Sequence, residues 1–185
     1  MRNSFERLSG FATISRHEKA LAITADVIET KSAEAMANPR KREILVLHRG
    51  EADTLQRMLN AIQPGSYVQP HRHRTPPKAE TIVLLSGSMG FMPFFEDGTP
   101  DLDNCALLHR SKGALAVDYR EGLWHTFFAL EPNTVIFEVK PGPYNAATDK
   151  DPAPWAPAEG SPEAQAYLAK LEQLIRRKFG DIPSS

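Results

Sequence analysis

The fold is decided by the stretch Gly65-Ser-Tyr-Val-Gln-Pro-His71-Arg-His73-Arg-Thr-Pro-Pro-Lys-Ala-Glu80-Thr-Ile-Val-Leu-Leu-Ser-Gly87. His71 and His73 lie two positions apart in a segment typical of a β-strand, so both imidazoles project from the same face. Glu80 opens an apolar run that predicts a second strand ending at Gly87. If the proline-rich segment between the strands reverses the chain, Glu80 reaches the pocket of the two histidines.

Two imidazoles and one carboxylate are typical ligands of a divalent first-row metal. A further histidine, His125, follows a turn glycine in Glu121-Gly122-Leu123-Trp124-His125 and begins another apolar strand. We therefore predict that His71, His73, Glu80 and His125 bind one divalent transition metal, which is Zn, Fe, Mn, Ni or Co. The alternative is that the same residues line the interior as packing or polar groups without a metal.

These glycine, histidine and glutamate positions, in this order, resemble the two sequence motifs of the cupin superfamily. The resemblance implies a metal site of three histidines and one glutamate inside a small β-barrel, in a protein that forms a homodimer. More specifically, the chain resembles the WbuC-type cupin-fold metalloproteins between Asn38 and Gly160. That group is associated with surface-polysaccharide biosynthesis, and the resemblance implies no particular reaction. The matching segments are Asn38-Pro39-Arg40, Leu47-His48, Gln56-Arg57, Pro70–His73, Trp124–Thr126, Phe137–Tyr144, Thr148–Asp151 and Trp155–Pro157.

The chain departs from the cupin motifs at three places. Six residues separate His73 from Glu80, where the usual pattern has three or four, so the hairpin must bulge or lengthen. In the second motif, Arg120 takes the place of the usual proline and Ala129 takes the place of the usual asparagine. None of these changes removes a ligand, but they leave open which groups surround the ligands.

The composition favours one domain without a nucleic-acid or membrane partner. The chain has 185 residues, 41% of them apolar, and its 22 basic and 23 acidic residues give a net charge of -1. The single cysteine, Cys105, excludes an internal disulfide and suits a reducing compartment. The first residues lack the apolar segment of a secretory signal, and no run approaches the ~18 apolar residues of a membrane span. We therefore expect a cytoplasmic protein.

The pattern along the chain predicts a mainly β fold, a single cupin-type (double-stranded β-helix or jelly-roll) barrel with an N-terminal and a C-terminal helix. Residues 1–37 should form a poorly ordered tail followed by a helix from Arg16 to Ala37 that packs on the barrel. Residues 38–145 should form the barrel. Residues 146–185 should form a proline-rich strap and a helix that begins near Ser161.

Several polar residues outside the ligand set are candidates for function. Arg57 and Glu138 are the predicted catalytic residues, and Arg57, His48 and Tyr144 are the predicted substrate contacts. Each has a structural alternative. Arg57 pairs with a carboxylate or points into the barrel mouth, Glu138 forms an ion pair with Arg57 or Lys140, and His48 is a buried structural histidine.

Four further residues have a simpler interpretation. The basic triplet that contains Arg40 and Arg42 is typical of a solvated turn, although either guanidinium group also suits an anionic ligand. Lys78 precedes Glu80 in the hairpin, where an exposed lysine is the favoured interpretation and contact with a substrate anion the alternative. His109 lies outside the motifs and is expected to be a surface or packing residue.

These residues favour a metal-dependent enzyme, an isomerase, lyase or oxygenase, that acts on a small polar or anionic substrate, with sugar derivatives as one candidate class. The alternative from another class is a non-catalytic metal-containing cupin module that binds a carbohydrate or another ligand. A third interpretation is a metal-free isomerase in which the histidines carry out acid–base chemistry.

Overall fold

The computed structural model describes residues 5–180, which form a mainly β protein with a helix near each end. The strands are β1 Phe5–Ser9, β2 Ala12–Ser15, β3 Arg42–Val46, β4 Leu55–Ile62, β5 His71–Arg72, β6 Glu80–Ser86, β7 Ser88–Phe94, β8 Ala106–His109, β9 Ala116–Tyr119, β10 Trp124–Ala129, β11 Thr134–Pro141 and β12 Asp151–Pro152. The helices are α1 Ala25–Ala37 and α2 Ala164–Phe179.

The strands form two sheets with jelly-roll connectivity. One sheet has seven strands in the order β1-β2-β3-β4-β11-β6-β9, and the other has five in the order β12-β5-β10-β7-β8. Counted from β4 to β11, the eight central strands follow the order first, eighth, third, sixth in one sheet and second, seventh, fourth, fifth in the other. This alternation between sheets is the double Greek key of a jelly roll. The fold is therefore a single cupin-type jelly roll with an N-terminal and a C-terminal helix, as predicted.

Apolar residues fill the space between the sheets and cover both outer faces. The interior cluster joins residues of both sheets, among them Ile82, Ile136, Met89, Phe91 and Phe127. Helix α2 buries Leu168, Leu171 and Ile175 against the outer face of the five-stranded sheet, and α1 buries Val27 and Ala35 against that of the seven-stranded sheet. Because both outer faces are covered, the polar residues of the interior are held between rigid walls.

The N-terminal segment differs from the prediction. Residues 5–15 form β1 and β2 instead of a poorly ordered tail, because Ala12–Ile14 pair in parallel with β3 and are buried there. The helix consequently begins at Ala25 and not at Arg16. Residues 1–4 of the predicted tail lie outside the described residues.

The segment 142–160, which we call the strap, packs on the jelly roll. Trp155 lies against Phe94, with ring centroids 4.9 Å apart, and Tyr67 donates a hydrogen bond of 2.8 Å to the carbonyl oxygen of Pro157. Arg40 and Arg42 bind the carboxylate of Glu159 at 2.8 and 2.7 Å. The basic triplet therefore holds the strap by charge-assisted hydrogen bonds and is not simply a solvated turn.

The C-terminal helix begins three residues after its predicted start near Ser161. Helix α2 begins at Ala164, and no side chain caps it, although Ser161 had been the predicted cap. Neither helix is long and apolar enough to cross a membrane, and this applies to residues 5–180 as a whole.

Substitution of Gly87 by alanine tests how tightly the connection between β6 and β7 is packed. Its φ is +73°, and a Cβ atom there would lie 2.5 Å from Thr134 Oγ1 and 2.7 Å from Thr134 Cα. Gly160 is a matched control, since its φ is +83° and a Cβ atom would meet nothing within 4 Å. We expect Gly160→Ala to cost about 1–2 kcal/mol of unfolding free energy, from the left-handed conformation alone. Gly87→Ala should cost about 3 kcal/mol or more, because the Thr134 backbone must also move.

Urea denaturation of the two variants and of the parent protein measures both costs. Equal losses in the two variants would contradict the close packing of Gly87 against Thr134.

Candidate metal centre

Two rows of side chains face each other across the interior of the jelly roll. In the five-stranded sheet, His125 on β10 pairs with His71 on β5. In the seven-stranded sheet, Glu80 on β6 pairs with Tyr119 on β9, and its carboxylate lies 3.1 Å from the ammonium group of Lys140 on β11. Alternate residues of a strand share a face, so neighbouring strands bring these side chains together although they are far apart in sequence.

Three histidines form a compact buried group. One ring nitrogen from each of His71, His73 and His125 lies within 4.8 Å of the others, and the three residues are 3%, 2% and 1% exposed. His71 and His125 each bind, through Nδ1, the backbone carbonyl oxygen two residues earlier, at 2.9 Å. The Nδ1 of His73 binds the carbonyl oxygen of Asp149. A carbonyl oxygen accepts only, which assigns the proton to Nδ1 and leaves the Nε2 lone pair available.

The electrostatics of this group favour neutral imidazole. Burial lowers the pKa of His71 well below its usual value, and the nearby Lys150 ammonium group lowers it further. Neutral imidazole is the form that coordinates a metal ion. His71 is therefore held in the protonation state that ligation requires.

Glu80 lies beside the histidines and brings the centre a carboxylate oxygen without a hydrogen bond among residues 5–180. Its Oε1 lies 3.0 Å from His73 Nε2, and its Oε2 lies 3.4 Å from His125 Nε2. Both His73 Nε2 and Glu80 Oε1 are buried without a hydrogen-bond partner among the described residues. With its proton on Nδ1, His73 presents a lone pair to a carboxylate, which is costly in a buried site. A cation bound by both atoms removes that cost, so the donor set fits a divalent metal ion.

Lys140 balances the buried negative charge around the site. Its ammonium group lies 3.1 Å from Glu80, 3.2 Å from Glu138 and 3.4 Å from Asp149. Burial alone would lower the pKa of Lys140, but the three carboxylates hold it above its usual value. Burial would likewise raise the pKa of Glu80, yet Lys140 and the two neighbouring histidines hold it well below its usual range. Glu80 is therefore ionised and ready to bind a cation.

Lys78 takes part in the same charge network, which corrects the favoured prediction of an exposed hairpin lysine. It is 2% exposed, and its ammonium group binds Asp149 at 2.7 Å and the carbonyl oxygen of Pro143 at 3.2 Å. The longer spacing before Glu80 thus turns Lys78 inwards, where it joins the hairpin to the strap. His109 is buried and binds Ser111, in agreement with a packing role.

Tyr119 is a site residue that the sequence did not indicate. Its hydroxyl donates a hydrogen bond to Glu80 and lies 3.0 Å from His125 Nε2. Burial raises the pKa of Tyr119 well above its usual value, as do the charges of Glu80 and Glu138, so the phenol keeps its proton. The strand pattern predicted β9 but gave no indication that β9 pairs with β6 at Glu80.

A cavity of about 520 Å³ adjoins this centre at Tyr119. The histidines do not line it, but Tyr119 lies both in its wall and against Glu80 and His125. The other lining residues are Phe91, Pro93, Asp101, Asn104, Val117, Asp118, Arg120, Glu121, Gly122 and Leu123. Such a volume suits a small molecule next to the donor set.

Glu138 and Tyr144, two further residues predicted to be functional, lie in different environments. Glu138 lies on the interior face, where it accepts a hydrogen bond of 2.6 Å from Asn60 and pairs with Lys140. Tyr144 lies in the strap and is 37% exposed, and burial together with the charge of Asp149 raises its pKa.

Arg57 and His48 are not brought to the histidines. Arg57 shares its strand face with Leu59 and Ala61, which pack against α1 on the outer side of the sheet. His48 is buried, and its Nδ1 binds the backbone of Arg57. This is the structural alternative that the sequence left open for His48.

Comparisons with known proteins give one partial family match and several structures of low similarity. Residues 23–104 match a family described as a domain of unknown function (DUF6016). No curated protein shows significant sequence similarity to this chain.

Among solved structures, the chain is similar to a cupin-2 domain protein of Rhodospirillum rubrum, with 16% identity, a TM-score of 0.45 and coverage of 71% of this chain and 80% of that one. It is also similar to the L-ribose isomerase of Cellulomonas parahominis solved with L-psicose, with 15% identity, a TM-score of 0.47 and coverage of 62% and 70%.

A third similar structure is the oxalate decarboxylase of Bacillus subtilis, with 16% identity and a TM-score of 0.44. The match covers 71% of this chain and 31% of that longer chain. Identities and scores at this level describe a general likeness of fold and carry no argument about activity. The jelly roll and its buried histidine group are instead established by the chain's own topology and contacts.

Metal analysis tests the donor set directly. Protein purified without a metal-affinity tag should hold one equivalent of a divalent transition metal, and His71→Ala and His125→Ala should each lower the affinity by at least about a hundredfold. His17→Ala is the control, since His17 binds Ser15 outside the site and its loss should leave the metal in place. Elemental analysis after dialysis measures the content. Full retention in both site variants, or no metal in the parent even after reconstitution, would exclude this centre.

Lys140→Met tests the charge balance. Removing the ammonium group leaves Glu80, Glu138 and Asp149 without their shared cation, so the metal-free variant should lose about 3–5 kcal/mol of stability near neutral pH. In the parent, the lowered pKa values of Glu80 and Asp149 provide stability above the unfolded pKa, and it is lost as the pH falls. The difference between parent and variant should therefore keep its full size from pH 7 to about pH 5 and shrink at lower pH, below the ordinary carboxyl pKa of about 4.

Urea denaturation at several pH values measures this difference, with the exposed Lys112→Met as the control. A loss that does not change with pH would show that Lys140 acts through packing and not through charge.

Proposed function

We propose that the protein is a metal-dependent cupin-fold enzyme that acts on a small polar or anionic molecule, with sugar derivatives as the first class to test. The observation that supports this most is the convergence of three buried Nε2 atoms, each with its Nδ1 bound to a carbonyl oxygen, beside an ionised Glu80. A buried donor set of this kind, next to a cavity, suits catalysis better than a purely structural role.

His71, His73, Glu80 and His125 would hold the metal ion, which supplies polarisation of a carbonyl or hydroxyl group, or activation of water, when bound. The chain's own residues define the rest of the site. Lys140 keeps Glu80 ionised, and the carbonyl partners keep the imidazoles in one orientation.

Two residues are proposed to handle protons and one to meet the substrate. Glu138 is the candidate base, since it is buried on the interior face and its orientation is fixed by Asn60. Tyr119 holds a proton on its hydroxyl between Glu80 and His125, at the wall of the cavity. Tyr144 in the strap is the candidate substrate contact. Arg57 is not part of this proposal, because its strand face is directed towards α1.

The proposal also covers the family, the cellular location and the oligomeric state of the protein. It places the chain with the WbuC-type cupins, as a cytoplasmic homodimer with a role in polysaccharide biosynthesis. The motif segments quoted from the sequence support it, and the ordered strap at Thr148–Asp151 and Trp155–Pro157 supplies part of the site, through Asp149, as such a match would require.

A non-catalytic ligand-binding module is the second candidate. It is favoured by one observation, namely that Glu138 is already bound by both Asn60 and Lys140 and so lacks a free oxygen for proton transfer. The two functions differ in whether a bound molecule is chemically changed.

Turnover by the metal-loaded protein separates them. A panel of aldoses, ketoses, sugar acids and hydroxy acids is incubated with the parent, His71→Ala and Glu138→Gln, and conversion is followed by NMR. The enzyme proposal expects one class to be converted by the parent, no conversion by His71→Ala, and a loss of about a hundredfold or more in Glu138→Gln with its metal retained. Compounds that bind the metal-loaded parent but are never converted would instead support the binding module.

A further inference from the structure

Lys150 is a charged residue that no role above uses, and the strand register directs it to the candidate metal centre. In the pairing of β12 with β5, Pro152 lies opposite His71 and Asp151 lies opposite Arg72. Lys150 directly precedes β12 and His73 directly follows β5, and the Nδ1 of His73 binds the carbonyl oxygen of Asp149, the neighbour of Lys150 in sequence. Successive residues of an extended chain point to opposite sides, so Lys150, next to Asp151, is directed to the side of His71 and His73.

Arg72 and Asp151 occupy the other face of this strand pair. Arg72 and Asp151 form an ion pair of 3.0 Å on the outer side of the same strand pair. Since Lys150 precedes Asp151, its side chain is directed away from that pair and towards the interior.

The surroundings of the Lys150 ammonium group agree with this direction. The residue is exposed to solvent, yet the protein around its ammonium group removes enough water to lower its pKa, and the next largest influences are the buried Lys140, Glu138 and Glu80. The side chain therefore extends from the surface towards the buried charges of the centre. The charge of Lys150 also acts on His71.

Lys150 has no hydrogen bond or ion pair with any residue from 5 to 180, whereas the other two lysines of the site are paired. Lys78 binds Asp149, and Lys140 binds Glu80, Glu138 and Asp149. A cation beside a buried site without a carboxylate partner is available to a ligand.

The charge of the centre indicates the kind of ligand. Three carboxylates, those of Glu80, Glu138 and Asp149, balance the three ammonium groups of Lys78, Lys140 and Lys150. Imidazoles coordinate a metal ion in their neutral form, so a bound divalent metal ion leaves the pocket with two excess positive charges. Such a pocket attracts anions and disfavours cations. A single ammonium group suits one carboxylate, whereas phosphate sites usually combine guanidinium groups or a helix N-terminus.

We propose that Lys150 binds the carboxylate of the substrate, so that the site selects small molecules that carry a metal-binding hydroxyl or carbonyl oxygen next to a carboxylate. This deepens the proposed metal-dependent function and rests on it. Lys150 fixes the charged end of the molecule, while its neutral oxygen is directed to the metal position.

A matched pair of probes tests the inference. Glycolate and glycolamide have nearly the same shape and differ by one negative charge, and both can be titrated into cobalt-substituted protein while its visible absorption is recorded. The parent should bind glycolate more tightly than glycolamide. Lys150→Met should weaken glycolate binding by about tenfold and leave glycolamide binding unchanged, because only the charged probe loses a partner. Lys150→Arg should keep most of the preference for glycolate.

Two controls separate the possible failures. Lys112→Met removes an exposed lysine elsewhere and should change neither affinity. Failure of the parent to take up cobalt would overturn the metal-dependent function together with this inference. Normal cobalt uptake with the same glycolate affinity in Lys150→Met, or no preference for glycolate in the parent, would overturn the role of Lys150 and leave the metal centre intact.

Discussion

The arrangement of the interior depends on the neutralisation of buried carboxylates by the ammonium group of Lys140. Glu80, Glu138 and Asp149 come from β6, β11 and the strap, and each lies within 3.4 Å of Lys140. Isolated charges at such depth would be prohibitively costly. By sharing one cation, the carboxylates keep Glu80 ionised beside the histidines and join three separate parts of the chain. The apolar interior provides the walls, but this ion cluster sets the position of the donor atoms within them.

Much of the fold was predictable because its signals are local. Alternating apolar residues, turn glycines and the two histidine motifs indicate a jelly roll and identify which strands carry imidazoles. Strand β6 lies close to its predicted range of Glu80 to Gly87, and β10 carries His125 after the turn glycine as expected. The first strands were missed because Phe5–Ser15 are short and depend on pairing with β3, which lies some thirty residues away.

Within the candidate metal centre, sequence alone identified only the residues that belong to a recognisable motif. Tyr119 and Lys140 reach Glu80 through the pairing of β6 with β9 and β11, and strand order is not encoded by any local pattern. Lys78 was misjudged for a related reason, since its partner Asp149 lies in the strap. Arg57 shows the opposite case. A charged residue between apolar neighbours suggested a pocket, but the face that it occupies is the one turned towards α1.

Asp149 connects the strap to the centre twice, through its backbone carbonyl to His73 and through its carboxylate to Lys78 and Lys140. This has a consequence for how the protein matures on the ribosome. A nascent chain that has completed every strand through β11 already carries all three histidines, but it lacks the group that orients His73. The imidazole of His73 in such a chain is free to turn, so the donor set is incomplete. Selective loading therefore belongs to the last stage of synthesis, after the strap has emerged and closed over the strands beneath it.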